Sequence, residues 1–331
     1  MNPALLLAQA LRDPATTAGL SASEWTALFA VARAEQLIGT LATRIHGLPM
    51  PQDAARIVRD AIASAEQGRT AALWEAEMAR RVLGGMPVVL LKGTAFVAAG
   101  LQAGKGRSIG DLDILVPRER IEEAEARLLA AGWEWVKPDP YDDAYYRKWM
   151  HELPPLIHRD RDRMIDVHHT ILPLTARITP DAQALLADSM PLENGLRVLN
   201  PNDMLCHAAA HLFADGDLAG GMRNIWDIHC LIEAFGVEGL EARAAHHGLA
   251  GEMTRAVRLA QALYGPPLLA GTAGGWGDRL YLRRLTARDS WGRPTRKLTR
   301  LAFYLRSHWL RMPPAMLARH LWTKWRKGHA P

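Results

Sequence analysis

Asp111-Leu112-Asp113-Ile114-Leu115-Val116 decides how this chain is read. Aliphatic residues following an acid-x-acid step have the composition of a buried strand, and side chains two apart on a strand share a face. Both carboxylates therefore project together from an apolar element, where they repel unless a proton or a cation stands between them. A hard divalent ion, Mg²⁺ or Mn²⁺, suits oxygen donors and commonly takes substrate phosphates as well. Ile165-Asp166-Val167 sets a third acid between apolar neighbours. With the two strands adjacent, Asp166 faces the same cleft, and three acids on two strands form a platform for two-metal phosphoryl transfer.

Upstream, Pro87-Val88-Val89-Leu90-Leu91 reads as a strand that ends at Lys92-Gly93-Thr94 and enters a helix over 94–99. Gly93 permits a close backbone approach, Thr94 offers a hydroxyl, and Lys92 either meets a phosphate or is buried against a carboxylate. The GxxxxGK[ST] pattern is absent, because the lysine precedes the glycine. Gly104-Lys105-Gly106-Arg107-Ser108 reads as a flexible loop whose two cations, Lys105 and Arg107, hold a triphosphate. Downstream come a charged helix over 118–131, a strand at Gly132-Trp133-Glu134-Trp135-Val136, a hairpin over 151–158 and 163–169, and a short strand at 196–199.

The flanks are helical. Ser21-Ala22-Ser23-Glu24 resembles a capping box, and Pro51 precedes a helix over 52–83. Its stripe of Ile57, Ala61, Ala65, Gly68, Ala72, Ala76 and Ala79 is mostly small, which predicts close helix packing. Beyond Asn200-Pro201, helices are expected over 202–214, 219–234, 237–247 and 250–264, then a Gly/Pro-rich loop through 277. Four regions result: 1–85, helical; 86–200, an α+β catalytic unit with a mixed sheet; 201–290, helical; and 291–331, a basic Trp-rich helical tail. The tail holds ten Lys/Arg and no Asp or Glu, while the preceding residues carry 30 basic and 35 acidic groups. The overall charge of +5 therefore does not make the whole chain a nucleic-acid binder.

Taken together, Leu90-Leu91-Lys92-Gly93, Arg107 ahead of Asp111-Leu112-Asp113-Ile114-Leu115-Val116, Gly132-Trp133 and Ile165-Asp166-Val167-His168 resemble a known family. It is the uncharacterised bacterial nucleotidyltransferase family of the DNA polymerase β-like superfamily, and the resemblance covers about residues 85–235. It implies a mixed sheet between helices, with Asp111 and Asp113 as the acid pair and Asp166 as the third acid, all three catalytic and metal-ligating. Gly93-Thr94 matches the superfamily's Gly-Gly/Ser turn, with Thr94 in place of the usual Ser and a longer spacing to Asp111. The implied reaction moves a nucleoside monophosphate from ATP or another NTP to a hydroxyl and releases pyrophosphate. Lys92, Gly93, Thr94, Lys105 and Arg107 would position phosphates. The acceptor, whether small molecule, sugar, protein or RNA, stays open.

Other readings stand beside this one. The same fold can serve as a nucleotide-binding regulatory or interaction module without turnover. His207 and His211, four apart on a helix, with His229-Cys230 or His168-His169, could make a zinc hydrolase, although no Glu follows His207 in the position such enzymes use. Arg223 and Asp227, also four apart, read as an intrahelical ion pair. In the tail, Trp309, Trp322 and Trp325 alternate with cations, which suits either an anionic surface (membrane or RNA) or inward packing. Two cysteines and no apolar run of membrane-spanning length lead to the expectation of a cytoplasmic protein, peripheral to the membrane if the tail adheres there.

Overall fold

The computed structural model describes residues 2–265, 275–314, 317–318 and 322. Helix α1 (Pro3–Arg12) is capped by the Asn2 side chain. The capping box at Ser21 forms: its hydroxyl accepts the Glu24 N–H, and the Glu24 carboxylate accepts the Ser21 N–H at 2.9 Å, opening α2 (Ala22–Ala34). Helix α3 (Ile38–Ile45) lies against the long α4 (Gln52–Val82). Gly39 meets Ala65 there, so the small-residue stripe does bring two helices close.

The sheet follows. Its elements in chain order are β1 (Val89–Leu90), α5 (Lys92–Ala98), β2 (Asp111–Leu115), α6 (Ile121–Ala130), β3 (Trp133–Trp135), α7 (Pro140–Trp149), β4 (Leu156–His158), β5 (Met164–His168), α8 (Ala182–Ala187), β6 (Met190–Pro191) and β7 (Arg197–Val198). The strand order is β3-β4-β5-β2-β1-β7-β6. β2 pairs in parallel with β5 and antiparallel with β1, so the sheet is mixed, and helical segments precede and follow it. The charged helix expected from 118 begins as a 3₁₀ turn, Arg118–Arg120, and becomes α-helical only at Ile121. Helix α7 is unanticipated. Asp139 caps it and Pro140 starts it, but none of its residues is buried, so it has no apolar stripe to read.

The chain then turns helical again: α9 (Pro201–Ala209), a π-helical segment Ala210–Asp215, α10 (Gly221–Phe235), α11 (Leu240–His246), α12 (Ala250–Tyr264), α13 (Trp276–Leu285) and α14 (Lys297–Arg311). The Gly/Pro-rich loop falls outside the described residues from 266 to 274, and so does Trp325. Buried apolar residues from Ala4 to Phe303 form one contiguous cluster. Helix α14 joins it through Phe303, and Arg306 donates to the Phe213 carbonyl at 2.8 Å. Its outer side keeps Leu298, Leu301, Leu305 and Trp309 at least half exposed, with the Arg177 guanidinium 4.5 Å from the Trp309 ring. No described helix is long and apolar enough to cross a membrane.

Candidate functional site

The parallel pairing of β2 with β5 sets Asp113 directly opposite Asp166 and Asp111 opposite Met164. Because strand side chains alternate, Asp111, Asp113 and Asp166 offer oxygens that all lie within 4.8 Å of one another. The three are not equivalent. Asp111 is exposed. Asp113 is 4% exposed and accepts Lys92 Nζ at 2.6 Å and His168 Nε2 at 3.0 Å. Burial works against its charge, but Lys92 and His168 outweigh it and hold the carboxyl below its usual range. Asp166 has less help, since Lys92 acts on it only weakly and its buried Oδ1 lacks a hydrogen-bond partner. Burial, then the charges of Asp113 and Asp111, push it up to about 7.

This asymmetry predicts a pH signature in metal-free protein. Asp166 titrates near 7 when folded and near 3.8 when free, so its contribution to stability is full below about pH 4 and is lost as pH rises through 7. Asp166→Asn should therefore match wild type near pH 4 and exceed it at pH 8, by up to about 4 kcal/mol for a shift of this size. Urea unfolding of both proteins at several pH values, with EDTA, measures the gap directly. Saturating Mg²⁺ at pH 8 should narrow it. A gap that does not change with pH would refute the reading of Asp166 as a buried carboxylate whose burial and acidic neighbours outweigh Lys92.

Lys92 adopts φ +48°, a left-handed conformation that costs a residue bearing Cβ about 1 kcal/mol. It borders a cleft of about 920 Å³ that has Asp111 and Asp113 in its wall. Five cations line the same cleft: Arg33, Lys92, Arg107, Arg223 and Arg288. Asp227 receives both Arg107 and Arg223, Arg223 also donates to the Gln36 carbonyl, and Arg288 pairs with Glu35 at 2.7 Å. The cation wall thus draws on α2, on the loop before β2, on α10 and on the segment after α13. A volume of this size is adequate for a nucleotide.

The predicted phosphate residues separate. Lys92, Gly93 and Arg107 line the cleft, whereas Thr94 is buried, Lys105 is exposed, and neither belongs to the lining. Gly93 makes room for a side chain: a Cβ there would stand 2.4 Å from Arg107 Nε. The loop carrying Lys105 is also not the flexible element expected. Gly106, at φ +65°, presses against Gly39 so closely that a Cβ would lie 2.3 Å from its carbonyl oxygen, and the Thr40 hydroxyl donates to the Lys105 carbonyl at 3.1 Å. The glycines serve this crossing of loop over α3. Gly93→Ala should displace the Arg107 guanidinium and lower nucleotide affinity roughly tenfold, a little over 1 kcal/mol. Calorimetry with a non-hydrolysable NTP measures this, and unchanged affinity would detach Arg107 from nucleotide binding.

The histidines are arranged differently from the zinc reading. Among the described residues, His207 and His211 belong to neither group of side chains close enough to share an ion. Burial keeps the His207 ring neutral and pushes the Cys230 thiol up to about 12, while His229 packs against Trp226 and Tyr264. His168, read from the sequence as a partner of His169 for zinc, stands beside the acids instead, and Glu152 was not singled out at all. His168 Nδ1 lies 3.3 Å from Glu152 Oε2 while its Nε2 meets Asp113. His168 follows Asp166 by two, so strand alternation alone places it on the acid face. Nothing local in the sequence signals Glu152.

A comparison with curated proteins found no match. The profile of a family described as "uncharacterised nucleotidyltransferase" matches residues 21–265, which takes in the sheet, the three acids and most of the helices around the cleft. The match covers well over half of the sequence, and the chain belongs to this nucleotidyltransferase family.

Proposed function

We propose that the protein transfers a nucleoside monophosphate from an NTP to an acceptor hydroxyl and releases pyrophosphate. One observation carries the reading: three carboxylates from two paired strands converge within 4.8 Å beside a cation-lined cleft of nucleotide size. The donor set fits Mg²⁺, being all oxygen and including the orphaned Oδ1 of Asp166. Asp111, Asp113 and Asp166 would hold the metal, which would supply neutralisation of charge on the transferring phosphate.

The rest of the work belongs to the chain itself. Lys92, Arg107 and Gly93 fix the phosphate end of the cleft, joined by Arg33, Arg223 and Arg288 from its other walls. Orienting the triphosphate in this way supplies most of the rate in a transfer that needs alignment and charge neutralisation. Asp166, on the strand beside the acid pair, is the group suited to help take the acceptor's proton. The test is incubation of the full chain with each α-labelled NTP, Mg²⁺ and a cell lysate. Label transferred to a discrete acceptor, with pyrophosphate release, supports the reading. NTP binding without either product favours the regulatory module.

The tail receives a secondary proposal. The exposed Leu298, Leu301, Leu305 and Trp309, on a segment with only basic charges, suit adhesion to an anionic surface such as a membrane face or RNA.

A further inference from the structure

Asp113 is buried against Lys92 at 2.6 Å and faces His168 Nε2 across 3.0 Å. His168 Nδ1 is buried, has no hydrogen-bond partner, and lies 3.3 Å from Glu152 Oε2. His151 brings a second nitrogen to the same oxygen, Nε2 at 3.7 Å, with its ring stacked on that of His168 at 5.2 Å between centroids. Two imidazoles and a carboxylate thus converge on one another.

We infer that His151, Glu152 and His168 form a second metal site, selective for a borderline transition ion of the Zn²⁺ type rather than Mg²⁺. Three observations carry it. The three ligand atoms lie within 4.8 Å of one another. Donors held 2.0–2.1 Å from one tetrahedral ion stand about 3.3 Å apart, close to the spacings of 3.3 and 3.7 Å present here. Finally, metal-bound imidazoles characteristically donate their other N–H to a carboxylate, and Asp113 receives that N–H from His168. Two nitrogen donors disfavour Mg²⁺, which prefers oxygen. The ion would tie the segment before β4 to β5 and fix the His168 ring, so it acts as a positioning element for Asp113. This inference stands on these residues alone and does not require the nucleotide reading.

The test is equilibrium dialysis of EDTA-stripped full-length protein against Zn²⁺ in excess Mg²⁺, with metal content measured per chain. Wild type should retain one equivalent of Zn²⁺ that Mg²⁺ does not displace. Glu152→Gln and His151→Ala should lower Zn²⁺ affinity by roughly 100-fold or more, since losing a ligand costs at least as much as disturbing its outer partners. Asp111→Asn and His207→Ala should leave it within about threefold. Co²⁺ bound to wild type should show the visible absorption of a four- or five-coordinate nitrogen–oxygen site, a readout that needs no variant to fold. A wild type that takes up no Zn²⁺ overturns the inference. So does Zn²⁺ binding lost on Asp111→Asn, or kept by folded Glu152→Gln and His151→Ala.

Discussion

Asp111→Asn should abolish nucleotidyl transfer, by roughly 10³-fold or more, while leaving the melting temperature unchanged. The scale is that of losing several kcal/mol of stabilisation of the transferring phosphate. Its carboxylate is exposed and makes no ion pair among the described residues, so the folded state loses little when the charge goes. The same substitution relieves repulsion on Asp113 and Asp166, so stability without metal should hold or rise slightly. The measurement is turnover with saturating NTP and Mg²⁺, together with thermal unfolding. Wild-type turnover in a folded Asp111→Asn protein would remove the carboxylates from the chemistry. The partner acid is a poorer test than its place in the motif promises, since Asp113 also neutralises a lysine.

Lys92→Met should be the most damaging single change to stability in the site. It leaves Asp113 ionised and buried with His168 as its remaining partner, and breaking a buried pair in this way costs about 3–5 kcal/mol. Lys92 keeps about a quarter of its side chain exposed, which places the expected loss at the lower end. The decisive comparison is unfolding with and without Mg²⁺. A divalent ion on Asp113 replaces the missing ammonium, so Mg²⁺ should stabilise Lys92→Met more than wild type. If Mg²⁺ shifts both proteins equally, Asp113 is not a ligand, even if Asp111 and Asp166 are.

Much of the mixed sheet was legible because its signals are local. Ile114, Leu115 and Val116 announce a buried strand, and the acid-x-acid step gives its face. Pairing of β2 with β5 was needed to bring in Asp166, and the register meets that need. What escaped detection depends on distant partners. Arg288 reaches Glu35 across 253 residues and Arg223 reaches Gln36 across 187, and no periodicity encodes either contact. Thr94 and Lys105 stand apart from the cleft lining for a related reason. Glycine-rich sequence signals either ligand approach or close packing, and here Gly106 serves packing against Gly39. The Arg223–Asp227 pair was readable from its spacing, but the Arg107 that shares Asp227 was not.

The Asp113–Asp166 register also constrains how this architecture can change. Side chains on a strand switch faces with every residue, so one residue gained or lost inside β2 or β5 would replace an acid with an aliphatic neighbour. In the segment between the two strands, 116–163, the helices α6 and α7 have no such parity to respect, whereas β4 keeps its register with β5, and His151 and Glu152 flank His168. Change is thereby channelled into the helices of that excursion, which can lengthen or shorten while the carboxylate register beneath them is inherited intact.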